Sequence, residues 1–83
     1  MSQWDKLIDQ ILTLNKNLRY EDLSKALIRI GYTAQQPGGG SSHVTFRKAG
    51  HDSITIPKTR TRMDIVYIKL VSDVIVKYFN EEE

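Results

Sequence analysis

His43 is the residue of this chain best suited to acid–base chemistry at neutral pH, because histidine as a residue type titrates at about 6.5. It follows the turn-forming run Gly38-Gly39-Gly40-Ser41-Ser42 and opens a stretch, His43-Val44-Thr45-Phe46-Arg47-Lys48, in which apolar and polar residues alternate. From His43 to Arg62 the chain carries Arg47, Lys48, Lys58, Arg60 and Arg62 against one acid, Asp52. A histidine among cations suits a phosphodiester. The 2′-hydroxyl of RNA attacks the adjacent phosphorus once deprotonated, a route that needs no metal, and cations stabilise the extra negative charge of the transition state. The plain alternatives are a strand-end histidine without a catalytic role and a basic stretch that is merely solvated.

Other candidates are weaker. The glycines of Gly38-Gly39-Gly40-Ser41-Ser42 allow backbone N–H groups to converge on an anion. The run is not a nucleotide-binding P-loop, since the Lys-Ser/Thr ending is absent and a strand follows, not a helix. A flexible connector explains the glycines equally well. Trp4 and the tyrosines read as core or partner-facing groups. No paired carboxylates, nucleophile elbow or metal-spaced cluster is present, and the residues call for no cofactor and no metal.

The elements that must hold His43 follow from periodicity. Trp4, Leu7, Ile8, Ile11, Leu12 and Leu14 form a helical stripe behind Ser2, a natural N-cap. A second helix starts near Arg19 or Tyr20, with Glu21 and Asp22 in its first turn. It buries Leu23, Ala26, Leu27 and Ile30 and closes at Gly31, where a C-cap favours a left-handed residue. Tyr32 to Gln36 reads as a short strand. Val44 and Phe46 face inward on the next strand, leaving His43, Thr45 and Arg47 outward; Ile54 and Ile56 return inward after a turn at Ala49-Gly50-His51-Asp52. Residues paired across a hairpin share a face, so Pro57 to Thr59 must lie beside the start of the middle strand. Lys58 and the arginines after it then come close to His43. His51 falls in the turn, ~17 Å of strand away. Lys58 to Arg62 reads as an exposed basic loop. A last helix begins near Met63 or Asp64, with Ile65, Ile68, Val71, Ile75 and Phe79 along one side and Tyr67, Leu70, Val74 and Tyr78 broadening it.

The order is α-α-β-β-β-α. This predicts an α+β fold: a three-stranded antiparallel sheet with helices on one face, the α-β-β-β-α order of double-stranded-RNA-binding domains plus an extra N-terminal helix. Eighty-three residues suit one domain, and a chain of this size buries only about 60% of its unfolded surface. The absence of cysteine excludes disulfides and thiolate metal sites and fits a cytoplasmic protein. No apolar run approaches the ~20 residues that span a bilayer, so no membrane role is expected. The net charge of +2 hides a basic middle and an acidic end at Glu81, Glu82 and Glu83.

The run Gly40-Ser41-Ser42-His43-Val44-Thr45-Phe46-Arg47-Lys48, followed by Ile54-Thr55-Ile56-Pro57-Lys58, resembles the HicA family of bacterial toxins. That family has a Gly-Ser-x-His entry to the middle strand and an apolar third strand ending in Pro; Ile30-Gly31-Tyr32 and the last helix match as well. The resemblance covers roughly residues 18 to 79, with 1–16 as a helical extension and 80–83 as an acidic tail. It implies a metal-independent mRNA endonuclease of a toxin–antitoxin system, restrained by a HicB-type antitoxin protein. His43 would be catalytic, and Gly40, Ser41, Ser42, Arg47, Lys48, Lys58, Arg60 and Arg62 would bind RNA. One departure stands out. Many members carry a second His shortly after the Pro of the third strand, where this chain has Lys58-Thr59. A non-catalytic RNA- or DNA-binding module of the same fold, and a domain whose first helix docks a partner protein, are the competing readings.

Overall fold

A computed structural model describes residues 2–36 and 42–82. Among these described residues, three helices and three strands follow in the order α1 (Gln3–Leu12), α2 (Tyr20–Arg29), β1 (Thr33–Gln35), β2 (His43–Arg47), β3 (Ile54–Pro57) and α3 (Ile65–Glu82). The architecture is α+β, with one antiparallel sheet in the order β1-β2-β3.

Each helix start has a local cause. The Ser2 hydroxyl accepts the Asp5 N–H at 3.1 Å and caps α1. Asp22 reaches back from the first turn of α2 to take the Arg19 N–H at 2.9 Å, and Asp64 takes the Val66 N–H at 3.0 Å ahead of α3. The ends of α1 and α2 are alike. After α2, Gly31 adopts φ +110°, its N–H reaches Ile28 C=O, and the Tyr32 N–H reaches Leu27 C=O. After α1, the same paired bonds run from Leu14 to Ile11 and from Asn15 to Gln10. There the left-handed position is filled by Leu14, at φ 58°. The first helix therefore stops at Leu12, two residues before its apolar stripe ends.

The sheet register pairs His43 with Pro57, Val44 with Ile56, Thr45 with Thr55 and Phe46 with Ile54. Apolar partners thus fall together on one face, where Val44, Phe46, Ile54 and Ile56 are buried in a single cluster with residues of all three helices. Phe46, Ile11, Leu23, Leu27, Ile56, Ile68, Val71 and Ile75 are the largest fully buried side chains. The opposite face is open; His43, Arg47 and Thr55 are exposed there, and the Thr45 and Thr55 hydroxyls meet at 3.2 Å. Pro57, which has no N–H to donate, sits on an edge strand, where none is needed.

Two expectations need correction. Helix α3 buries Ile68, Val71, Ser72 and Ile75, while Ile65, Leu70 and Phe79 are exposed. The stripe drawn from Ile65 to Phe79 is too wide, because one helix can turn only a sector of its surface to a core this small. The loop 58–62 is also less free than its composition implies. The Met63 N–H donates to Leu18 C=O at 2.8 Å, and Arg62 pairs with Arg19 across an isolated antiparallel bridge.

Candidate active site

The start of β2 gathers groups from three segments of the chain. His43 is exposed as the first residue of β2, on the open face of the sheet. Its partner is Pro57, and the next residue, Lys58, donates its backbone N–H to the Ser42 carbonyl. Backbone pairing therefore brings the Lys58 backbone beside the start of β2, one position out of step with His43. The Lys58 ammonium lies 5.9 Å from the centre of the Tyr20 ring, which is itself buried 6.3 Å from the Phe46 ring. The first residue of α2 thus supports the Lys58 cation on the side of the sheet that Phe46 faces, whereas His43 stands on the open face.

The basic loop then folds back to the α1–α2 link. The Thr59 hydroxyl donates to Thr61 C=O at 3.3 Å, and Lys58, Arg60 and Arg62 are exposed. Arg62 bonds Asn17 Oδ1 at 3.4 Å and faces Arg19 across the bridge. Among the described residues, none of Arg19, Lys58, Arg60 and Arg62 forms an ion pair with a carboxylate. The loop thus carries exposed cations from Lys58 through Arg60 to Arg62 and, across the bridge, Arg19, a grouping suited to a polyanion.

Other residues assigned from sequence are distributed unevenly. Ser42 is exposed beside His43, with its carbonyl bonded to Lys58. Gly40 and Ser41 lie outside the described residues. Arg47 shares the open face but stands at the far end of β2, opposite Thr33. Lys48 does not belong to the cluster. Its ammonium donates to Ile30 C=O at 2.9 Å and lies 4.9 Å from the Tyr78 ring centre and 5.9 Å from that of Tyr32. His51 is also at that distant end, half-buried, with Nε2 3.6 Å from Glu81 Oε2.

Tyr32, Lys48, His51 and Tyr78 help line a cleft of about 260 Å³ between the β2–β3 turn and α3. The Tyr32 phenol is held above its ordinary value by burial first, and then by the Glu81 and Asp52 carboxylates. No group of three or more His, Asp or Glu side chains that could hold a metal ion occurs among the described residues. No helix among them is long and apolar enough to cross a membrane.

Sequence reasoning missed Asn17, Arg19 and Tyr20, which reach the site from the other end of the chain. Their approach depends on the long-range bridge to Arg62, for which no local pattern exists. No family model matches the chain, and no curated protein or solved structure matches it.

Proposed function

We propose that this chain is an endoribonuclease of the HicA toxin type, cleaving mRNA with His43 and held inactive by a HicB-type antitoxin protein. The observation that carries the reading is the register of β2 and β3, which sets His43 against Pro57 and Lys58 against Ser42. The run α2-β1-β2-β3-α3, with one sheet face covered and the other open, supports a domain of the double-stranded-RNA-binding type.

The chemistry follows from the groups present. His43 accepts the proton of a ribose 2′-hydroxyl; the O2′–P bond forms, the P–O5′ bond breaks, and a proton returns to O5′. Lys58 and Arg60 bind the non-bridging oxygens and stabilise the charge that builds on them. The nucleophile belongs to the substrate, so the reaction needs a base, cations and an in-line arrangement of O2′, P and O5′.

One observation favours a second reading, a binding module without cleavage. The other histidine, His51, sits beside Glu81 at the far end of the sheet, and cannot serve as a second acid–base group. Inducible expression in a bacterium separates the two readings. Wild type is expected to arrest growth and destroy a reporter mRNA, while His43→Ala, folded to the same degree, does neither. Arrest that persists in His43→Ala removes the catalytic assignment. Intact RNA with both chains, combined with salt-sensitive RNA binding, establishes the binding module instead.

A further inference from the structure

Arg19 and Arg62 are paired directly across an isolated antiparallel bridge. Residues so paired carry their side chains to the same side, and like charges placed there repel. The fold nevertheless holds the pairing with several bonds. Met63 N–H donates to Leu18 C=O at 2.8 Å, Arg62 bonds Asn17 Oδ1 at 3.4 Å, and the Arg19 N–H is taken by the Asp22 carboxylate at 2.9 Å. That last bond directs Asp22, one of two acids in the first turn of α2, to the backbone of Arg19. Both arginines are exposed, and among the described residues neither has a carboxylate partner.

We infer that Arg19 and Arg62 form a clamp for one backbone phosphate of a single-stranded RNA, a neighbour of the phosphate attacked at His43. The ligand's identity rests on the proposed function, whereas the geometry of the clamp rests on the bridge alone. Guanidinium suits such a clamp because it is planar, permanently charged, and offers a fork of donors that matches two phosphate oxygens. A phosphate between two such forks converts their repulsion into attraction. The clamp also gives the substrate a direction. The strand runs from His43 past Lys58 and Arg60 to the α1–α2 link, not along β2 towards Arg47. A single strand fits because in-line attack by O2′ requires a backbone conformation that the A-form duplex does not provide.

The test is fluorescence anisotropy of an end-labelled, unstructured RNA oligonucleotide, with all chains carrying His43→Ala so that no cleavage intervenes. Arg19→Gln and Arg62→Gln are each expected to weaken binding about tenfold. Two forks on one phosphate act as a unit, so the double variant binds about as weakly as either single one. The slope of log affinity against log salt then falls by ~0.7 in all three, the loss of one phosphate contact on a single strand. Arg19→Lys with Arg62→Lys keeps the charge and loses the fork, so affinity drops several-fold while the slope holds. Lys77→Gln, on α3 beside the distant cleft, leaves both unchanged. Circular dichroism establishes that each variant is folded. Losses that add in the double variant, with a slope change of ~1.4, describe two independent surface cations and overturn the clamp. Unchanged affinity in folded variants overturns it too, and leaves the ribonuclease reading standing if wild type still cleaves. A His43→Ala parent that binds no RNA, beside a wild type that cleaves none, overturns both.

Discussion

His43 and Lys48 bracket the same strand, and both read as RNA-facing from their place in a basic, alternating run, yet the fold gives them opposite roles. The outward position of His43 was legible because strict alternation with Val44 and Phe46 fixes its face. The fate of Lys48 was not, because a flexible four-carbon stem lets its ammonium reach a helix end far from its own backbone. There it accommodates an otherwise open carbonyl at Ile30 and lies against Tyr78. Lys48→Met is therefore expected to cost about 1–3 kcal/mol in urea denaturation, with RNA affinity changed less than about twofold. Lys58→Met should do the reverse, weakening RNA binding several-fold at small cost in stability. Equal losses of RNA affinity in the two would reject the division of the basic residues into two ends. Tyr32, at the Lys48 end, adds a pH dependence. Its folded value is raised above 10.0, so the native state holds the phenolic proton more tightly than the unfolded chain does. This contribution is complete below pH 10.0 and disappears as pH rises through the folded value. Tyr32→Phe should flatten the alkaline fall in stability, and a fall of the same steepness in the variant would contradict that cause.

At the scale of elements, what the sequence revealed depended on whether the determinant was local. The strand register was narrowed by the sequence to pairings that set Pro57 to Thr59 beside the start of β2, since these put Val44, Phe46, Ile54 and Ile56 on one face. The fold selects Pro57 opposite His43. The end of α2 was readable because Gly31 is the residue type a left-handed C-cap favours. The end of α1 was not, because the same backbone motif is completed there by Leu14, whose type carries no such signal. The burial of α3 escapes sequence reasoning for a different reason. Periodicity names the apolar residues, but the available core area decides which of them are covered, and that leaves Ile65, Leu70 and Phe79 exposed. The cap at Gly31 has a further constraint. A Cβ there would stand 3.2 Å from Lys48 Cε, in addition to the strain of φ +110°. At Gly50, with φ +80°, a Cβ meets nothing within 4 Å. Gly31→Ala is thus expected to destabilise by about 2–3 kcal/mol and Gly50→Ala by about 1 kcal/mol, both read from urea midpoints. Equal costs at the two positions would show that the contact with Lys48 contributes nothing.

At the scale of the whole molecule, the question is whether α1 is an appendage or part of the minimum that folds. The proposed resemblance would begin near residue 18 and set residues 1–16 aside as an extension, but the packing joins them to the core. Ile11 is fully buried, Ile8 nearly so, and Trp4, Leu7 and Leu14 pack against the same cluster. A domain of this length has roughly 4–12 kcal/mol of stability in total, at about 0.05–0.15 kcal/mol per residue. Truncating one buried isoleucine costs about 2–5 kcal/mol. Ile11→Ala alone should therefore consume a large part of the margin, lowering the urea midpoint while leaving one cooperative transition. Deleting residues 1–16 removes both buried isoleucines and uncovers the apolar surface of α2 and α3 that they protect. That chain should show no cooperative unfolding transition, and RNA binding should vanish with it, because Arg19 and Lys58 are brought together only by the folded domain. A truncated chain that still unfolds cooperatively and binds RNA would make α1 a separable element and return it to the role of a partner-docking helix.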